Sequence, residues 1–285
     1  MHDEILLENY CLELSLIKEE QKLFESLIGY DFLEVKALRE DTLLEKNDDG
    51  IVGKIIAFIN KAIELIKKSI ENLKTFFSKE RTKDKEMNSV LDTLDRVYGR
   101  KIDMDSLSDE VKKSLTYIDI DYDFVQDLQS SRDKAISYLK DTFESDKIDK
   151  DEIMEKLEEI YGFKINSKVQ DTPIYKKAFS VKESGSVTDL IKIMSRWASK
   201  FDERQDILIN SQTEMVKTLG IIKAKLNKNK NYSGNVVQLI NFCTRYSTTA
   251  QTVYQTTINE ISDIVSKNVT ILNRKTREAK MNDNK

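Results

Sequence analysis

One proline, Pro173, and eight glycines in 285 residues leave little material for turns. Sheet proteins and loop-rich enzymes need positive-φ positions and tight corners at short intervals. A chain this poor in both is expected to build long helices joined by short connections. Histidine is scarcer still. His2 is the only one, at a terminus prone to fray. A Ser-His or Cys-His nucleophile therefore has no base, and zinc held by histidine is excluded. The two cysteines, Cys11 beside Leu12 and Cys243 beside Phe242, lack metal-ligand spacing and read as buried free thiols. Neither Gly-x-x-x-x-Gly-Lys nor Gly-x-Gly-x-x-Gly occurs, so no phosphate-cradling loop is expected. No apolar run approaches the ~18 residues of a spanning helix. The first residues, Met-His-Asp-Glu, lack the basic region and cleavage site of a signal peptide, so the chain is expected to be made in the cytoplasm.

What the chain has is charge and helical periodicity. Charged residues make up 34% and hydrophobic ones 39%, with a net charge of −4 that favours no global attraction to nucleic acid. The expected fold class is all-α: an elongated helical bundle with a long C-terminal antiparallel helical hairpin. Four segments follow from the punctuation: 1–47, an N-terminal helical segment; 48–80, a basic amphipathic helix; 81–182, a duplicated region of short helices; and 183–285, the hairpin. In the first, Leu7, Tyr10, Cys11, Leu14, Ile17, Leu23, Phe24 and Leu27 recur at helical spacing up to Gly29. A weaker pattern through Phe32, Val35, Leu38 and Leu43 ends at the turn Lys46-Asn47-Asp48-Asp49-Gly50.

The hairpin is the best-specified element. A 4-3-4-3 series runs Val187, Ile191, Met194, Ala198, Phe201, Gln205, Leu208, Gln212, Met215, Leu219, Ile222, Leu226, and only the two glutamines break it. The spacing predicts one helix over about 186–228. A second, over about 235–279, carries Val236, Ile240, Cys243, Ser247, Ala250, Tyr254, Thr257, Ile261, Ile264, Asn268 and Ile271. The short link between them predicts antiparallel neighbours with Met194, Phe201, Leu208, Met215, Leu219, Ile240, Tyr254 and Ile261 in the seam. Small and polar residues around Thr248–Thr252 imply either close packing of the pair or a slot for a third helix.

An internal repeat lies between. Leu94-Asp-Arg-Val97-Tyr98-Gly99-Arg-Lys101-Ile102-Asp103 matches Leu157-Glu-Glu-Ile160-Tyr161-Gly162-Phe-Lys164-Ile165-Asn166 at an offset of 63, and Val111–Thr116 echoes Tyr175–Ser180 at 64. In each copy the glycine is expected to close a helix in the left-handed conformation. A duplicated helical unit suits a scaffold more than an active site.

Few residue groups suggest chemistry. Asp119-Ile-Asp121-Tyr-Asp123 fails as a calcium loop, because Phe124 and Ser130 stand where glycine and glutamate are required. It reads as an acidic loop leading to a helix N-terminus. Carboxylate pairs are abundant, which leaves glycoside hydrolysis open by residue type, but solvated helix faces account for them. No catalytic, cofactor-binding or metal-binding residues are expected. The most functional-looking stretch is 51–79. Val52, Ile55, Ile56, Ile59, Ala62, Ile63, Ile66, Ile70, Leu73 and Phe77 form one apolar face, and Lys54, Lys61, Lys67, Lys68, Lys74 and Lys79 outnumber Glu64 and Glu71 by four charges. Such a helix suits a bundle core, a membrane surface or a partner's groove. Lys54, Ile55, Ile56, Ile59, Lys61, Ile63, Ile66, Lys67 and Lys68 are thus the candidate membrane or partner contacts. Lys267, Arg274, Lys275, Arg277, Lys280 and Lys285 make a basic tail. Its charges suit a helix C-terminus and offer nucleic acid only a weak phosphate contact.

The isoleucine- and lysine-rich run Lys54-Ile-Ile-Ala-Phe-Ile-Asn-Lys-Ala-Ile-Glu-Leu-Ile-Lys-Lys68, followed much later by the long helical pair, resembles the internal head and other virion structural proteins of large tailed bacteriophages. The resemblance lies in the order of elements and implies a non-enzymatic protein packaged in a capsid, whose partners are other virion or assembly proteins and copies of itself. The alternative expectation is a membrane-active helical protein working through 51–79.

Overall fold

The computed structural model describes residues 48–101, 109–143, 149–226 and 235–283. The expected helices over 4–28 and 32–43, and Cys11, lie outside them. Helix dominates, and the fold is all-α with a single small sheet among the described residues. The order is α1 (Asp48–Lys101), α2 (Asp109–Ser114), β1 (Tyr117–Ile120), α3 (Phe124–Phe143), α4 (Lys150–Tyr161), a 3₁₀ turn (Val169–Asp171), α5 (Pro173–Ala178), β2 (Phe179–Lys182), α6 (Val187–Ser199), α7 (Phe201–Leu226) and α8 (Asn235–Asp283).

The basic helix does not stop near residue 79. It continues to Lys101, giving α1 54 residues, roughly 80 Å at ~1.5 Å per residue. Its buried stripe runs Val52, Ile55, Ile59, Ala62, Ile66, Leu73, Phe77 and then Met87, Leu91 and Leu94. Beyond Phe77 the apolar positions are sparse but keep helical spacing, which is why a polar stretch stays helical instead of breaking into short pieces. α1 runs antiparallel to α7 and also packs on α6. Lys223 Nζ donates to Asn60 Oδ1 at 2.6 Å near one end, and Arg81 pairs with Asp202 at 2.6 Å near the other.

The expected first hairpin helix is two helices, broken at Lys200 (φ −97°, ψ 16°). Every position of its 4-3-4-3 series is nonetheless buried except Gln205, which is half-buried. The second helix runs four residues further than expected, to Asp283. Two hydrogen bonds fix the antiparallel sense of the pair: Trp197 Nε1 to Ser262 Oγ at 3.4 Å and Gln212 Nε2 to the Ser247 carbonyl at 3.1 Å.

The first half of α8 is the hub. From Val236 to Ser247 only Gln238 and Arg245 are not buried, and along its length α8 receives α1, α3, α4, α5 and α7. The small polar stretch near Thr248 does receive a third helix: Ser69 of α1 donates to Gln251 Oε1 at 2.9 Å. Phe124, the first residue of α3, stacks between Trp197 (centroids 6.5 Å apart) and Tyr254 (5.8 Å). All of this belongs to one connected core running from Val52 to Leu272.

The repeat has a structural counterpart in one half and a difference in the other. Gly162 (φ 74°) closes α4 in the left-handed region, its N–H donating to the Glu158 carbonyl at 2.7 Å. Gly99 closes nothing, since α1 passes through it to Lys101. Downstream, each copy forms a short helix leading into a strand, α2 into β1 and α5 into β2. The two strands pair antiparallel, Tyr117 opposite Lys182 and Ile120 opposite Phe179. The expected acidic loop is thus partly strand: Asp119 lies in β1 and forms an ion pair with Lys182. Asp121 accepts from the Asp123 N–H at 3.0 Å and turns the chain into α3.

Candidate functional site

The residues singled out in α1 divide by face. Ile55, Ile59 and Ile66 have no solvent exposure, and Ile56 and Ile63 are half-buried against the same core. α7 and α8 cover this face. Lys67 and Lys68 face solvent, whereas Lys54 and Lys61 are half-buried. The stripe is therefore interior, and burial of each isoleucine stabilises the fold by roughly 1.5–3 kcal/mol. Met194, Phe201, Leu208, Met215, Leu219, Ile240, Tyr254 and Ile261 are likewise all buried. Among the described residues no helix is long and apolar enough to cross a membrane, and no cluster of three or more His, Cys, Asp or Glu could hold a metal ion.

The densest polar chemistry lies where α6 gives way to α7. Arg204 is only 5% exposed, and its guanidinium lies 3.7 Å from the centre of the Trp197 ring. Its Nη1 donates to the Trp197 carbonyl at 2.6 Å, while its Nε has no partner. Burial pulls its pKa down to about 10, against the opposing pull of Asp84 and Glu203. Across the interface, burial pushes the Asp84 carboxyl up to about 6, although Arg204 and Arg81 favour its charged form. Asn88 donates to Asp84 Oδ2 at 3.0 Å. Arg81 donates to Asp202 Oδ1 at 2.6 Å and Gln205 Oε1 at 2.9 Å, and lies over the Phe201 ring. Arg196 lies 4.2 Å over the Tyr122 ring, whose hydroxyl donates to the Ile193 carbonyl at 2.9 Å. A small cavity touches Tyr122, Trp197, Lys200, Glu203 and Arg204, with room for about one water molecule. It is far too small for an organic substrate.

A second polar set is internal to the hub. Cys243 is wholly buried, and burial pushes its thiol up to about 12. Tyr161 stacks on Tyr246 with centroids 5.7 Å apart, and burial raises both phenols. Asn268, also without exposure, holds β1 to α8. Its Oδ1 accepts from the Thr116 N–H at 2.9 Å and its Nδ2 donates to the Thr116 carbonyl at 2.8 Å.

Sequence reading missed the Arg204 cluster. Arg204 sits one position before Gln205 of the seam, and nothing in the pattern marks an arginine there as buried. The signal available was Trp197, the chain's only tryptophan, seven residues earlier, which an unbroken helix would place two turns away on the same face. Set against protein-family models, curated protein sequences and solved structures, the chain matches none of them.

Proposed function

We propose that this chain is a non-enzymatic structural and interaction protein, a capsid-internal or assembly component of a tailed-phage type of particle. The observation that carries the reading is the use made of α1. The helix with the strongest look of a membrane or groove binder has its apolar face turned into the chain's own core, where it serves as a strut against α7 and α8. Binding energy that a membrane-active helix would keep for lipid is here used in building shape. The outward residues of α1, among them Lys67, Lys68, Glu71 and Lys74, form a mixed-charge face suited to polar contact with neighbouring proteins. The resemblance in the order of elements supplies the class of assembly. Self-association and contact with other virion proteins are the expected interactions, and the basic tail of α8 gives nucleic acid a weak, salt-sensitive phosphate contact.

Mass spectrometry of particles purified from cells that carry the gene tests the proposal. The chain is expected as a multi-copy constituent that survives high-salt washing. Particles free of it, with the protein left in the soluble fraction, would contradict the reading.

A further inference from the structure

The break between α6 and α7 has no sequence cause of the usual kind. No proline or glycine lies between Val187 and Leu219, and the 4-3-4-3 series passes from Ala198 to Phe201 without a change of phase. By periodicity alone, residues 187–226 form one helix. The structure shows what holds them apart. The Trp197 carbonyl, which a continuous helix would give to the Phe201 N–H, instead accepts from Arg204 Nη1 at 2.6 Å and from the Lys200 N–H at 3.3 Å. The Ser199 hydroxyl takes the Arg196 carbonyl at 2.9 Å. α7 restarts with Arg204 N–H to the Lys200 carbonyl at 3.1 Å. The N–H groups of Phe201, Asp202 and Glu203 thus occupy a helix's first turn, where no intrahelical acceptor exists. Two side chains thus take carbonyls at the break, Ser199 and Arg204, and the chief one is a buried arginine stacked on the tryptophan it caps.

We infer that residues 197–204 are a two-state hinge, in which the Arg204–Trp197 clasp holds the helix broken and its release lets 187–226 close into one continuous helix. The outer contacts fit such a device. α1 passes the hinge unbroken and grips its α7 side through Arg81 with Asp202 and Gln205. Closing the helix shifts α6 along α1 and changes the face that the α1–α6 layer presents. The inference goes beyond the proposed assembly role and stands whether or not that role is right.

Amide hydrogen exchange resolved at Phe201, Asp202 and Glu203 tests it in the full-length protein. Arg204→Met keeps the side chain's bulk and removes the donor. Exchange at these three amides should slow on the order of tenfold, because each gains a helical acceptor. A merely structural role for Arg204 predicts the opposite, faster exchange around a loosened core. Ser199→Ala with Lys200→Ala, an exposed and a half-buried residue, provides a second variant that favours a continuous helix and leaves the Arg204–Trp197 contact in place. It should slow the same amides in the same direction. Unchanged or faster exchange in the folded Arg204→Met protein would overturn the hinge. If Arg204→Met does not fold, unchanged or faster exchange in the double variant would overturn it equally.

Discussion

Ile59 is the sharpest place to perturb the bundle. It has no solvent exposure, it lies in the densest part of the buried stripe of α1, and the same core holds Ile55, Ala62 and Ile66 around it. Replacing Ile59 by alanine removes the burial of three carbons and leaves a cavity that neighbouring helices fill only in part, a loss of about 2–5 kcal/mol. Ile66 is seven residues on, roughly 10 Å along the helix at ~1.5 Å per residue, far enough for the two losses to add. The double variant Ile59→Ala, Ile66→Ala should then lose about 4–10 kcal/mol, comparable to the whole stability of an ordinary domain at about 5–15 kcal/mol. Ile56→Ala, on the half-buried flank, should cost distinctly less. Urea unfolding followed by far-ultraviolet circular dichroism measures all three. A loss below about 1 kcal/mol for Ile59→Ala would refute the claim that this face is core.

Three further outcomes follow from single groups. Asn268→Ala strands the N–H and carbonyl of half-buried Thr116, and a fully buried group left so costs about 1–3 kcal/mol, so urea unfolding should show a loss below the sum of two such penalties. Asp84 titrates near 6 in the folded chain against an ordinary value of 3.8, so the folded state holds the extra proton. Its contribution to stability is therefore fully present below about pH 4 and is lost as pH rises through 6. The stability of wild type relative to Asp84→Asn should fall across that window, and a flat difference would show that Asp84 is not desolvated. Cys243, with a buried thiol pushed up to about 12, should resist a thiol reagent at pH 8 in a Cys11→Ser background and react once urea unfolds the chain.

Much of the fold is legible because it rests on period alone. The stripe of α1 and the two seams of α6–α8 follow from spacing, and nearly every position they name is buried. The third helix over Thr248–Thr252 was readable as one of two options, since small residues specify closeness but not the neighbour. What periodicity could not convey is where a helix stops. α1 outlasts its apolar face because Met87, Leu91 and Leu94 suffice to anchor a charged stretch. The break at Lys200 was invisible for the converse reason: it coincides with the fit of Arg204 to Trp197 across it, and no proline or glycine forbids helix there. Gly99 shows the same limit. A glycine permits a helix to end but does not compel it, and α1 continues through. The hub role of α8 follows from five elements converging on one helix, which no single window of sequence records.

The central claim is that the face of residues 51–79 belongs to the bundle, and flotation with anionic vesicles at low and high salt tests it most directly. Wild type should stay with the soluble fraction at both salts, and Ile59→Asp with Ile63→Asp should fail to fold, since it buries charge in the core. Salt-sensitive flotation of folded wild type, lost in a double mutant that still folds, would contradict the account and place the helix at a membrane.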